Sequence, residues 1–143
     1  MRILVSGCLL GVCCRYDGAS KPHHGVLELA KRHELIPVCP EQLGGLATPR
    51  PPAERQDDRI IARTGADVTE QYRRGAEEAL KLYRLLGCDA AVLKERSPSC
   101  GSGEIYDGTF SETLIAGDGV TAGLLKTNGI SVYGESQIGE LLK

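Results

Sequence analysis

The sequence predicts an α/β fold in three layers: an open, mostly parallel sheet of Rossmann-like type, helices on both faces, and one small β-hairpin. Three observations predict it. Short aliphatic runs recur along the chain, apolar stripes of helical period lie between them, and Gly, Pro and Asp-Gly mark the joins. With 143 residues, 41% of them hydrophobic, the chain is expected to form one domain over 1–143 whose core needs no disulfide staple.

The first strand is expected at 3–6, where Ile3, Leu4 and Val5 run towards Gly7. A loop follows over 8–21 and closes at Pro22. Val26, Leu27 and Ala30 mark a short helix over 25–33. The second strand is 35–38, and Pro37 places it near a sheet edge. Residues 40–55 hold Pro40, Pro49, Pro51, Pro52 and the pair Gly44-Gly45. They read as a long ordered loop of the kind that carries function, with no regular helix. A small strand at 59–62 leads out of it.

The best helix is 68–86. Asp67 and Glu70 have the spacing of an N-terminal cap pair, Val68, Tyr72, Ala76, Ala79, Leu80 and Tyr83 form the stripe, and Gly87 stands at the stop. The third strand is 89–93, followed by a loop over 94–103. Asp107-Gly108, inside 105–110, predicts a tight hairpin. A helix at 120–126, a strand at 130–133 and a terminal helix at 137–142 complete the series. The glycines at 117, 119 and 123 enter a helix, but without the lysine of a P-loop, and read as a turn.

Composition narrows the function. Lys plus Arg is 17 and Asp plus Glu is 19, a net charge of −2, which argues against a general nucleic-acid binder. No apolar run is long enough to span a membrane. The N-terminal residues read as a strand rather than a signal peptide, and a cytoplasmic location is expected.

The six cysteines are the informative residues. In a cytosolic α/β chain, unpaired cysteines point to metal or catalysis. None forms a C-x-x-C pair, so a zinc ribbon, a thioredoxin-type pair and a bacterial ferredoxin run all lack their signature. Right-handed crossovers put the strand C-terminal ends on one edge, where such folds bind ligands. Cys8, Cys39 and Cys100 follow the first, second and third strands, so their thiols are expected to converge there. Cys13 and Cys14 share the first loop with Cys8, whereas Cys88 precedes the third strand and is expected at the far edge or in the core. Sulfur-rich ligation favours an iron–sulfur cluster or zinc. Buried structural thiols are the alternative for each cysteine taken singly.

Polar residues crowd the same loops. Glu41, two residues after Cys39, has the chemistry to position water or move a proton; a solvated loop charge is the alternative. Ser97 and Ser99 flank Pro98 just before Cys100, as hydrogen-bond donors or as turn formers. Arg15, Asp17, Arg50, Lys94, Glu95 and Arg96 either orient a substrate or tie the loops together. Tyr16, Tyr106 and Phe110 either stack on a flat ring or pack in the core. His33 reads as a helix-end cation, and His23 and His24 as surface or substrate-loop residues.

The motifs SGCLLGVCCRYDG (6–18), VCPEQLGGLATPR (38–50) and LKERSPSCGSGEIYDGTF (93–110), with GVTAGLL (119–125), resemble those of a family of small bacterial and archaeal proteins that includes the thiouracil desulfidases. The resemblance implies a [4Fe-4S] cluster held by Cys8, Cys39 and Cys100 with one iron lacking a protein ligand, and it leaves Cys14 out of the ligand set. It implies Glu41, Ser97 and Ser99 as catalytic residues; Arg15, Tyr16, Arg50 and Lys94, in the same loops, are expected beside the substrate. The implied reaction is a non-redox desulfuration of a thiolated pyrimidine base or nucleoside, C=S becoming C=O with release of sulfide. A non-catalytic zinc-binding, cluster-binding or sulfur-delivery module is the alternative, and a thiol redox enzyme built on Cys13, Cys14 and Cys8 is a third. The sequence leaves the oligomeric state open.

Overall fold

A computed structural model describes residues 1–143. The chain runs β1 (Arg2–Ser6), α1 (His24–Leu29), β2 (Glu34–Val38), α2 (Pro40–Leu43), β3 (Ala53–Gln56), β4 (Arg59–Ala62) and α3 (Thr69–Leu85). It continues through β5 (Ala90–Leu93), β6 (Glu104–Tyr106), β7 (Leu114–Ala116), α4 (Val120–Thr127) and β8 (Val132–Gly134). Short 3-10 turns stand at Gly7–Leu10, Glu135–Gln137 and Gly139–Leu142.

The main sheet has four strands in the order β2-β1-β5-β8, all parallel. β1 is central, and Ile3, Leu4 and Val5 are fully buried, as a strand covered on both faces requires. Its alternation divides the core. Ile3 and Val5 pack with Val26 and Leu29 of α1 and with Ile138 and Leu141 near the C-terminus. Leu4 packs on the opposite face with Ala79 and Leu80 of α3 and Ala122 and Leu125 of α4. The result is the expected three layers. β2 is an edge strand, which accommodates Pro37. No helix is long and apolar enough to cross a membrane.

The strand order also locates a crevice. The chain leaves β1 for β2 on one side, then crosses back to β5 on the other. The switch therefore lies between β1 and β5, at whose C-terminal ends an open α/β sheet binds ligands.

The structure differs from the sequence reading at several joins. Residues 40–55 contain a helix and a strand: Pro40 suits the first turn of α2, where no backbone donor is needed, and Gly44 follows as its C-cap. β3 pairs with β4 as an antiparallel hairpin that stands apart from the main sheet. The second hairpin, β6 with β7, is not closed by a tight Asp107-Gly108 turn; a loop over 107–113 joins the strands. Glu70 makes no capping box and pairs with Arg73, while Asp67 accepts the Thr69 N–H at 2.9 Å. The C-terminal segment is 3-10 rather than α-helical. His33 lies beyond the end of α1 rather than capping it: its Nδ1 is 3.1 Å from the N-terminal nitrogen and its Nε2 is 2.8 Å from the Leu141 carbonyl oxygen.

Candidate active site

The C-terminal edge of the sheet holds a cavity of about 580 Å³, within the size range of small-molecule sites. Cys8, Cys39 and Cys100 all line it. Cys8 rides on the 3-10 turn that opens at the end of β1. Cys39 is the residue between β2 and α2, and Cys100 closes the loop after β5. Cys14 lines the cavity as well, and its backbone carbonyl accepts a hydrogen bond from the Cys39 thiol at 3.6 Å. Cys88 stands at the opposite end of β5 and Cys13 is exposed. All six cysteines are free thiols.

Two of these thiols are held protonated. The Cys14 hydrogen bond, and then burial, push the Cys39 thiol well up. Burial pushes the Cys100 thiol up to about 12, against hydrogen bonds from Ser6 and Ser99. Such protons are displaced when a thiol becomes a metal ligand. No three His, Cys, Asp or Glu side chains crowd one point closely enough to chelate a single metal ion. A cubane cluster asks for something else: thiols spaced along a cavity wall, each reaching its own iron. Cys8, Cys39 and Cys100 supply thiol donors of that kind on one cavity wall.

Glu41 sits on α2 and also lines the cavity. Its Oε1 accepts from Arg50 Nε at 3.0 Å and from the Tyr72 hydroxyl at 2.8 Å. Oε2 takes part in neither bond. The Arg50 side chain is only 6% exposed, and its other nitrogens donate to the carbonyls of Cys14 and Ala47 and to Thr48 Oγ1. Burial works against the Arg50 charge, but the Glu41 carboxylate outweighs it and raises the guanidinium pKa overall. Burial, and then Glu41, hold the Tyr72 proton on. Arg50 therefore orients Glu41 and braces the Cys14 loop.

Two glycines allow this arrangement. α2 lies so close on α3 that a Cβ at Gly75 would stand 1.8 Å from the Pro40 carbonyl oxygen, and one at Gly44 would stand 1.9 Å from that of Gln71. The contact sets Glu41 over Tyr72. Sequence reasoning placed Tyr72 only on an apolar helical stripe. The missed signal is its hydroxyl, because a tyrosine on a buried stripe still needs a polar partner.

The two serines separate. Ser97 lines the cavity, and its Oγ accepts the N–H groups of Ser99 and Cys100 at 3.1 and 3.0 Å. Ser99 is fully buried, and its hydroxyl pairs with Thr121 Oγ1 at 2.8 Å. Lys94 reaches the cavity wall but is paired with Glu135 at 2.9 Å. Arg15 and Tyr16 line the cavity together, with the guanidinium 5.6 Å from the ring centroid. Tyr106, Phe110 and Glu54, from the two hairpins, line it too.

Residues 3–137 match the 2-thiouracil desulfurase family. The chain is 43% identical to the uncharacterized protein YbbK of Bacillus subtilis (strain 168), over 98% of this chain and 99% of the relative. It is also similar to the solved structure of the [4Fe-4S]-dependent thiouracil desulfidase TudS. The identity there is 48% and the TM-score 0.92, covering 98% of this chain and 94% of that one.

Proposed function

Since the chain belongs to the 2-thiouracil desulfurase family, we propose that it removes sulfur from thiolated pyrimidine bases such as thiouracil. Water is the co-reactant: C=S becomes C=O, and sulfide leaves. The observation that carries this reading is the convergence of Cys8, Cys39 and Cys100 with Glu41 on one cavity at the β1–β5 switch.

In this reading residues 1–143 form one iron–sulfur-binding domain of a cytoplasmic enzyme. Cys8, Cys39 and Cys100 hold a [4Fe-4S] cluster, and Cys14 stays outside the ligand set. When bound, the cluster supplies a soft Lewis acid that favours a thiocarbonyl sulfur over a carbonyl oxygen. The protein does the rest. Glu41 takes the proton of the attacking water, with Arg50 and the Tyr72 hydroxyl fixing Oε1 and leaving Oε2 for that water. Ser97 is the serine placed to meet substrate, and Ser99 supports it from behind. Arg15 and Tyr16 border the base, and Lys94 meets it as part of an ion pair with Glu135. The net charge of −2 favours a free base or nucleoside over a nucleic-acid strand.

The test is anaerobic purification followed by metal analysis and a sulfide assay. The reading expects about four irons and four acid-labile sulfides per chain, and sulfide release from 2-thiouracil or 4-thiouracil. Cys→Ala at 8, 39 or 100 is expected to remove iron, whereas Cys14→Ala is expected to retain it. Cluster-loaded protein that leaves both thiouracils intact overturns the reading.

A further inference from the structure

The β6–β7 hairpin lays a loop, residues 107–113, along the cavity, and this loop is held in an unusual way. Phe110, the chain's sole phenylalanine, has φ 58°, and Glu112 has φ 62°. Both lie in the left-handed region that side-chain-bearing residues rarely adopt, and such conformations persist where the surroundings over-determine them. Here the surroundings are the β3–β4 hairpin. Glu54 Oε1 accepts the N–H of Gly108 at 3.0 Å and that of Phe110 at 3.1 Å. Gln56 Nε2 donates to the Gly108 carbonyl at 2.9 Å. A Cβ at Gly108 would meet Gln56 Cγ at 2.7 Å, so the loop lies flush on that hairpin. The Arg63 guanidinium stands 5.4 Å from the centre of the Phe110 ring. Three hydrogen bonds thus hold the loop, and a cation–π contact meets its half-buried aromatic ring at the wall of the cavity.

We propose that Phe110 is a specificity-determining residue, the flat surface on which the heteroaromatic ring of the substrate lies, and that Glu54 is the positioning residue that holds it there. This deepens the proposed function and rests on it. An aromatic face selects by shape and stacking whatever the ring substituent, so it reads the pyrimidine ring while the cluster reads its sulfur. Strain in the loop gives Glu54 its role. Without two N–H groups anchored to one carboxylate oxygen, Phe110 is expected to relax out of the left-handed region and swing from the wall.

The test uses the cluster-loaded enzyme and follows KM and kcat for 2-thiouracil and for its non-aromatic analogue 5,6-dihydro-2-thiouracil. Equilibrium binding of uracil is measured in parallel by calorimetry. Phe110→Leu is expected to raise KM for 2-thiouracil and Kd for uracil about tenfold, or ~1.4 kcal/mol, within the range of base–aromatic stacking. Its kcat should change less than its KM, and the dihydro analogue should lose little. Glu54→Ala is expected to reproduce the KM effect, and Glu54→Gln, which keeps an Oε1 acceptor, to restore most of it. Unchanged KM and unchanged uracil affinity in Phe110→Leu overturn the proposal, as does equal loss for both substrates. If native enzyme releases no sulfide yet binds uracil, and Phe110→Leu weakens that binding, the desulfidase reading fails and the ring wall stands. If native enzyme binds no pyrimidine, both fail.

Discussion

Gly75→Ala tests whether the close contact of α2 on α3 sets the catalytic geometry. On an isolated helix the change is favourable by roughly 1 kcal/mol, because alanine has the better helix propensity. In this protein the added Cβ would lie 1.8 Å from the Pro40 oxygen, where Cβ atoms essentially never approach within 3.0 Å. The obstacle is backbone, so it cannot rotate away, and α2 must retreat by about 1.2 Å. Overpacking of this kind costs about 1–3 kcal/mol, with larger values for rigid neighbours. A net loss of about 1–2 kcal/mol corresponds to a melting temperature about 3–8 °C lower. The larger effect is functional. Glu41 rides on α2 and Tyr72 on α3, so the retreat opens their 2.8 Å hydrogen bond. A misplacement of about 1 Å in such a group costs on the order of 10²-fold in rate. The assay is sulfide release from 2-thiouracil at saturating substrate, normalised to iron, beside a thermal melt. Gly123→Ala is the control: that Cβ, on α4, would meet only Asp118 Cβ at 3.7 Å and should stabilise the protein. A Gly75→Ala enzyme as stable and as fast as native would refute the reasoning.

Other consequences are testable in the same assays. Glu41→Gln should lower kcat by about 10²–10⁴-fold with iron content intact, as loss of a general base does; a smaller drop would move the proton transfer elsewhere. Ser97→Ala and Ser99→Ala should separate: the first loses activity, whereas the second leaves Thr121 Oγ1 unpaired and costs about 1–3 kcal/mol with kcat largely kept, as melts and rates will show. In cluster-free protein, burial raises Cys100 from 9.0 to about 12. The folded state then holds that proton more tightly than the unfolded chain does. Its contribution to stability is full below pH 9 and fades as pH rises through about 12. Urea midpoints across that window should fall in native protein and fall less in Cys100→Ala.

The thiol site was legible in the sequence because strands leave a strong signal and a parallel sheet aligns their C-terminal ends. Once 3–6, 35–38 and 89–93 are read as parallel strands, Cys8, Cys39 and Cys100 must share an edge. α2 was not legible. Four residues carry no periodicity, and the prolines around it suggest a loop, although Pro40 sits at a tolerated first-turn position. With α2 hidden, the approach of Gly44 to Gly75 was hidden too, and so was the pairing of Tyr72 with Glu41. For Arg50 two roles stood open, orienting a substrate or tying the loops together, because its charge gives no hint of its neighbours. Only the fold shows its guanidinium enclosed among Glu41, Cys14, Ala47 and Thr48. The hairpin was anticipated, but Asp107-Gly108 suggested a tighter turn than the loop that carries Phe110.

The three thiols proposed as cluster ligands come from loops after β1, β2 and β5, which are separated in the chain by α1 and by the long α3. A ribosome therefore releases Cys8 and Cys39 well before Cys100 exists, and β5 must slot beside β1 before the last thiol reaches the others. Metallocentre assembly must wait for that docking. An incomplete nascent chain offers only part of the ligand set, so cluster donors in the cell meet a competent acceptor only after translation has passed β5.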